Sequence, residues 1–85
     1  MRVKVKFFAS LREVLKTSEE LIDLPHDIKT VGQLRQYLTN RGVPWAEALA
    51  EGRAVRSAID HHMVELDALL LDGAEVAFFP PVTGG

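Results

Sequence analysis

The sequence predicts an α+β fold in which a small mixed sheet packs against one main helix. Three observations predict it. Apolar and charged residues alternate over residues 2–8, the period of a half-buried strand. The alternation returns over 75–79, directly after an Asp-Gly turn pair. Between them Val31, Leu34, Tyr37 and Leu38 recur at the three- and four-residue spacing of an amphipathic helix. With 85 residues the chain supports one core. Residues 1–81 are expected to form that domain and residues 82–85 a flexible Gly-Gly tail.

The first strand, over 2–8, points Val3, Val5 and Phe7 to one face and Arg2, Lys4 and Lys6 to the other. Ser10-Leu11-Arg12-Glu13 fits a capping box, so a short helix over 11–16 is expected to bury Leu11, Val14 and Leu15. Leu21-Ile22-Asp23-Leu24, stopped by Pro25, reads as a second strand in a hairpin with the first. Thr30-Val31-Gly32-Gln33 repeats the capping logic and starts the main helix over 31–41, which Gly42 and Pro44 end. Trp45, Ala46, Leu49 and Ala50 suggest a further helical turn, with Trp45 anchoring the connection onto the body. Arg53 to Ile59 reads as a third strand, Asp60-His61-His62 as a turn, and Val64 and Leu66 as a short edge strand. Asp72-Gly73 launches the last strand over 75–79, where Val76 and Phe78 share one face and Glu75, Ala77 and Phe79 the other. Only one ring of the Phe78-Phe79 pair can lie under the helix, which leaves the other beside the tail.

Composition excludes several classes of function. The formal net charge of −2 offers no basic surplus for a phosphate backbone, so nucleic acid is not an expected partner. Arg2, Lys4 and Lys6 form a basic stripe that reads first as the solvated face of a strand. The alternating, charged N-terminus is unlike a secretory signal, and no apolar run approaches the roughly 20 residues of a membrane helix, so a cytoplasmic protein without a membrane partner is expected. There is no cysteine, hence no disulfide, thiolate–metal site or thiol nucleophile on this chain. His61-His62 is the one pair that invites metal or acid–base chemistry. Adjacent histidines point apart and His26 is remote, so a surface turn is expected and no metal site is assigned. Ser10, Ser18 and Ser57 lack the strained elbow of a nucleophilic serine. Arg35 and Arg41 read as helix-surface cations, for an acidic partner or for ion pairs.

The chain end is what remains. Two residues without Cβ occupy minimal width, so Gly84-Gly85 suits a narrow channel that leads to another protein's active site. Pro80-Pro81 lack N–H donors, which ends sheet pairing and aims the last residues outward. A carboxylate is a poor acyl donor until it is joined to AMP; a sulfur nucleophile then displaces AMP and leaves a thiocarboxylate. A terminus activated in this way would carry sulfur without any cysteine here, with partner enzymes supplying the ATP chemistry.

Asp72-Gly73 followed by Glu75-Val76-Ala77-Phe78-Phe79-Pro80-Pro81-Val82-Thr83-Gly84-Gly85 resembles the C-terminus of the molybdopterin synthase small subunits. The opening Val3-Lys4-Val5-Lys6-Phe7-Phe8-Ala9-Ser10-Leu11-Arg12-Glu13 and the Thr30-Val31-Gly32-Gln33-Leu34 helix start resemble that family too. The match is least distinctive over 43–70, where Asp60-His61-His62 stands in place of an Asn-Gln-like turn. The resemblance implies a ubiquitin-like β-grasp fold and a sulfur carrier for molybdenum cofactor biosynthesis. It implies that Gly85 is adenylated by an ATP-using activating enzyme, receives sulfur from a donor enzyme, and delivers it to cyclic pyranopterin monophosphate in the large subunit of a heterotetramer. Phe78 or Phe79 would sit at the docking surface, and Pro80, Pro81, Val82, Thr83 and Gly84 would line the insertion. The chain would hold no stable cofactor and act as a co-substrate subunit. A carrier for thiamin, cysteine or tRNA thiolation, a ubiquitin-like protein modifier, and a plain interaction domain are the alternatives.

Overall fold

Val3, Val5 and Phe7 are sealed from solvent in the computed structural model, which describes residues 1–81, while Arg2, Lys4 and Lys6 face outward. The strand they form, β1 (Arg2–Phe7), is followed by α1 (Ala9–Leu15), β2 (Glu19–Asp23), α2 (Val31–Thr39), α3 (Trp45–Ala48), β3 (Arg56–Ile59), β4 (His62–Val64) and β5 (Glu75–Phe79). The five strands form one mixed sheet in the order β2-β1-β5-β3-β4. β1 and β5 are parallel neighbours, and the other pairings are antiparallel. With α2 laid across one face, this is the expected β-grasp architecture. The expectation of a tail over 82–85 lies outside the described residues.

The core lies between α2 and the inner face of the sheet. Val31, Leu34 and Leu38 of α2 meet Val3, Val5, Phe7, Val76 and Phe78, all of them 0–1% exposed. Phe7 stacks on Phe78 with centroids 6.2 Å apart and receives Trp45 edge-on at 5.4 Å. Trp45 thereby pins the connection after α2, and the Arg41 guanidinium lies 4.6 Å above its ring.

The start of α2 shows why its capping box was readable. Thr30 Oγ1 accepts from Gln33 N at 3.2 Å, and Gln33 Oε1 accepts from Thr30 N at 3.1 Å. The remaining N–H groups of the first turn donate to a neighbouring segment: Val31 N to Ala68 O and Gly32 N to Leu66 O. A Cβ on Gly32 would sit 3.1 Å from Leu66 O, so any larger residue would push the Leu66 segment back by a few tenths of an ångström.

Several expectations are corrected. Ser10 does not cap α1. The helix begins earlier, at Ala9 (φ 52°), and the Phe8 carbonyl accepts from Leu11 N and Arg12 N, so backbone geometry replaces the side-chain cap. Leu11 and Leu15 are buried on one side of α1, whereas Val14 falls off that stripe and is 50% exposed. α2 ends at Thr39, two residues short of the expected 41. β3 begins at Arg56 instead of Arg53, because Arg53 N turns back to Ala50 O and Arg53 O is taken by a side chain. Asp60 is more than a solvated turn residue. Asp60 and His61 have φ of 47° and 70°, the signature of a two-residue hairpin turn, and Asp60 ties that turn to β5 by exchanging bonds with the Glu75 backbone.

Candidate functional site

β5 is the central strand that delivers the chain end. It is bonded on one side to β1 and on the other to β3, so its exit at Phe79 is fixed from both sides. Pro80 and Pro81 follow and offer no N–H to either neighbour. Val82, Thr83, Gly84 and Gly85, four of the residues assigned to delivery, lie outside the described residues. Phe78, assigned with Phe79 to docking, is completely buried against Phe7 and cannot meet a partner. Its parity with Val76 turns it under α2. Phe79, Pro80 and Pro81 are half-buried at the end of the sheet.

Two grooves open at this exit. One, of about 560 Å³, meets Pro81 and runs between the start of β3 and the end of β4, with Arg53, Arg56, Met63 and Leu66 in its lining. The other, of about 500 Å³, meets Pro80 and is lined by Leu11 and Val14 of α1 and Ala48 of α3. Arg53, Ala54 and Val55 line both and form the wall between them.

That wall is held by Arg35. Its guanidinium donates to Leu49 O at 2.8 Å, Ala50 O at 2.7 Å and Arg53 O at 3.0 Å. Burial pushes its pKa below the usual arginine value, and the nearby Glu51 charge opposes that shift. Arg35 is therefore a buried clamp on residues 49–53 and not a surface cation. Arg41 forms a two-pronged ion pair with Glu20 at 3.0 and 2.7 Å. The ion pair is one of the two roles expected of Arg41, although its partner, 21 residues away, was not named; the Arg35 clamp was not legible, because its carbonyl partners lie 14 or more residues away.

The outer face of the sheet is built by the second member of each phenylalanine pair. Phe7 is opposite Phe78 in the parallel β1–β5 register, so Phe8, extended at φ −125° and ψ 159°, continues the alternation beside Phe79. Ala77, Ala58 and the 60% exposed Met63 follow across β5, β3 and β4 in one cross-strand row. Phe8 and Met63 were not singled out in the sequence. The signal for Phe8 was present in the repetition of Phe-Phe in two strands of equal parity.

The basic stripe is largely neutralised across the strands. Arg2 pairs with Asp23 at 2.8 Å, Lys4 with Glu19 at 4.0 Å, and Lys6 with Glu75 at 3.4 Å. His61 Nε2 lies 3.5 Å from the other Glu75 oxygen, and His62 Nδ1 lies 3.0 Å from Asp60 O, so the two rings have different partners. Among the described residues no three His, Asp or Glu side chains converge as metal ligands would, and no helix is long and apolar enough to cross a membrane.

Comparison with known proteins agrees with this geometry. The ThiS family profile matches residues 5–85. The molybdopterin synthase sulfur carrier subunit of Escherichia coli is 43% identical over 83 residues, which cover 98% of this chain and 99% of that protein. Among solved structures, a putative molybdopterin converting factor subunit 1 from Pyrococcus furiosus superposes with a TM-score of 0.78 at 32% identity, covering 96% of this chain and 99% of that one. A chain from the complex of subunits 1 and 2 of the molybdopterin-converting factor of Helicobacter pylori superposes with a TM-score of 0.66 at 28% identity, each chain covered completely. The chain belongs to the ThiS family, and its likeness to the molybdopterin synthase small subunits extends well beyond the first and last strands to nearly its whole length.

Proposed function

We propose that this protein is the sulfur carrier small subunit of a molybdopterin synthase and that the Gly85 carboxylate is its working group. The carboxylate oxygen attacks the α-phosphorus of ATP on an activating enzyme, and pyrophosphate leaves. Sulfur at the sulfide level, supplied by a donor enzyme, attacks the acyl carbon; AMP leaves and a thiocarboxylate remains. In the large subunit the thiocarboxylate sulfur bonds to a carbon of cyclic pyranopterin monophosphate as a C–O bond at that carbon breaks and its oxygen departs, as water or as the opened phosphate ester. Water then cleaves the resulting thioester, which leaves the sulfur on the pterin and returns Gly85 to a carboxylate. Two carriers in turn supply the two sulfurs of the dithiolene, within a heterotetramer of two small and two large subunits. Because activation consumes ATP, the reading puts the carrier in the cytoplasm.

The observation that carries this reading is the central β5, which runs through Phe79 into Pro80-Pro81 within a family match that continues to residue 85. A strand fixed from both sides gives the exit a defined direction, which a delivered terminus requires. Val82, Thr83 and Gly84 then form the narrow stretch that enters the partner, and Phe79 with Phe8 forms the apolar face on which the partner seats. The chain contributes orientation, docking and the reactive carboxylate; the partners contribute ATP, pterin and proton transfers.

The test is intact mass together with deletion of Gly85. Coexpression with the activating and donor enzymes is expected to yield a species with one oxygen replaced by sulfur. Removing Gly85 is expected to abolish sulfur transfer and leave the melting temperature unchanged. Full transfer by the deletion variant overturns the reading, and accumulation of lysine conjugates in place of the thiocarboxylate indicates a protein modifier.

A further inference from the structure

The groove at Pro81 gathers three arginines in one lining. The chain as a whole is acidic, with a formal net charge of −2. Yet this groove gathers Arg35, Arg53 and Arg56 against a single carboxylate, Glu65. Arg35 is bonded to three carbonyls and to no carboxylate, so its charge is held in place, with Glu51 nearby but not hydrogen-bonded to it. Arg53 and Arg56 are exposed, and neither has an ion-pair partner within 4.0 Å among the described residues. Arg2, Lys4, Lys6 and Arg41 are paired; Arg12, Lys16 and Lys29 also have no ion-pair partner among the described residues, but none of them lines this groove. Met63 and Leu66, 60% and 47% exposed, supply apolar surface in the same lining.

We infer that the Arg53–Arg56 groove docks an acidic segment of the protein that encloses the C-terminus, with carboxylates against the two guanidiniums and an apolar side chain against Met63 and Leu66. The inference rests on the carrier reading and deepens it. A protein that surrounds residues 82–85 must lie against Pro81, and Pro81 is part of this groove's lining. Paired guanidiniums suit carboxylates because each presents a planar fork of donors. The groove is continuous with the outer face in two ways: Met63 pairs with Ala58 in the row that leads to Ala77, and Arg56 itself is the register partner of Phe79. Charges at an interface rim act mainly on the encounter, so these arginines steer the approach while the apolar row and the tail hold the complex.

The experiment measures association and dissociation rates of the full chain with the molybdopterin synthase large subunit from the same source, over a range of ionic strength. Arg53→Glu/Arg56→Glu is compared with wild type and with Arg53→Lys/Arg56→Lys. At low salt the charge reversal is expected to slow association about 10-fold or more, with dissociation nearly unchanged and the gap closing as salt rises. The lysine variant is expected to retain most of the wild-type rate. Both arginines are exposed, so an unchanged melting temperature serves as the folding control. Wild-type binding with equal association rates in the reversal variant overturns this inference alone. A wild-type chain that does not bind the large subunit overturns the carrier reading with it. Loss of a self-associated dimer in the reversal variant, without any effect on the large subunit, overturns it in favour of a second copy of this chain.

Discussion

Phe7 and Phe78 differ from Phe8 and Phe79 by one position along the same two strands, and the difference decides what each ring is for. The first pair is sealed under α2 and stacked at 6.2 Å. The second stands on the opposite face, with Phe8 44% exposed and Phe79 half-buried beside the exit of the chain. Identical residues therefore do separable work: the inner pair holds the sheet to its helix, and the outer pair is surface beyond what the fold requires. A protein that delivers its own terminus needs both, because the strand has to be rigid and its far side has to meet a partner.

The comparison breaks if the two pairs respond alike to truncation. Phe78→Ala is expected to cost about 3–5 kcal/mol, since it removes a buried ring and leaves a cavity beside Phe7. For a domain of this size that is a fall in melting temperature of tens of degrees. Phe79→Ala is expected to cost about 1 kcal/mol of stability and to weaken binding of the large subunit at least 10-fold. Thermal unfolding and titration of the two variants check both halves. Equal stability losses, or a Phe79→Ala variant that binds normally, would collapse the distinction.

How much of this was legible follows from how local each cause is. The Thr30–Gln33 box lies within four residues and was readable. The Ser10–Glu13 box fits the same pattern and failed, because the Phe8 carbonyl, fixed by the end of β1, begins the helix first. Strand parity separated Phe78 from Phe79 but did not say that α2 covers the Phe78 side; that depends on the register of β5 against β1 and β3. The grooves at Pro80 and Pro81 were invisible, since their shared wall at 53–55 is held by Arg35, 18 residues from Arg53. The Asp72-Gly73 turn and the Pro-Pro exit were readable because each residue type acts on its own backbone, and Gly73 has a φ of 84°.

Arg35 and Arg41 extend the contrast between interior and surface to two arginines near one another in sequence. Arg35→Met is expected to destabilise the protein by about 1–3 kcal/mol, because three carbonyls lose a charged donor at once. Amide hydrogen exchange over residues 49–55 is expected to accelerate with the change, since the segment loses its clamp. Arg35→Lys recovers part of the loss by reaching one carbonyl. Unchanged exchange in Arg35→Met would show that the wall stands without the clamp.

The smallest effect belongs to the Arg41 partner. Glu20 occupies the inner-face side of β2 at the edge of the sheet, opposite Val5, where the core gives way to an ion pair. The hydrogen bond from Arg41 holds its carboxyl below the usual carboxylate range, with burial acting in the opposite sense. A carboxylate whose pKa is lowered on folding stabilises the protein above its unfolded pKa, about 4.3, and that contribution is lost as pH falls through the lowered folded value. Both side chains are about a third exposed, so solvent screens the pair and a contribution of about 0.5 kcal/mol is expected. Glu20→Gln should therefore melt about 2–4 °C below wild type at pH 7, and the two curves should converge as the pH drops below 4. Added salt should narrow the gap at pH 7 in the same way, because the pair is within reach of counterions. A gap that persisted undiminished at low pH would mean that Glu20 acts through packing of its stem and not through the charge that Arg41 stabilises.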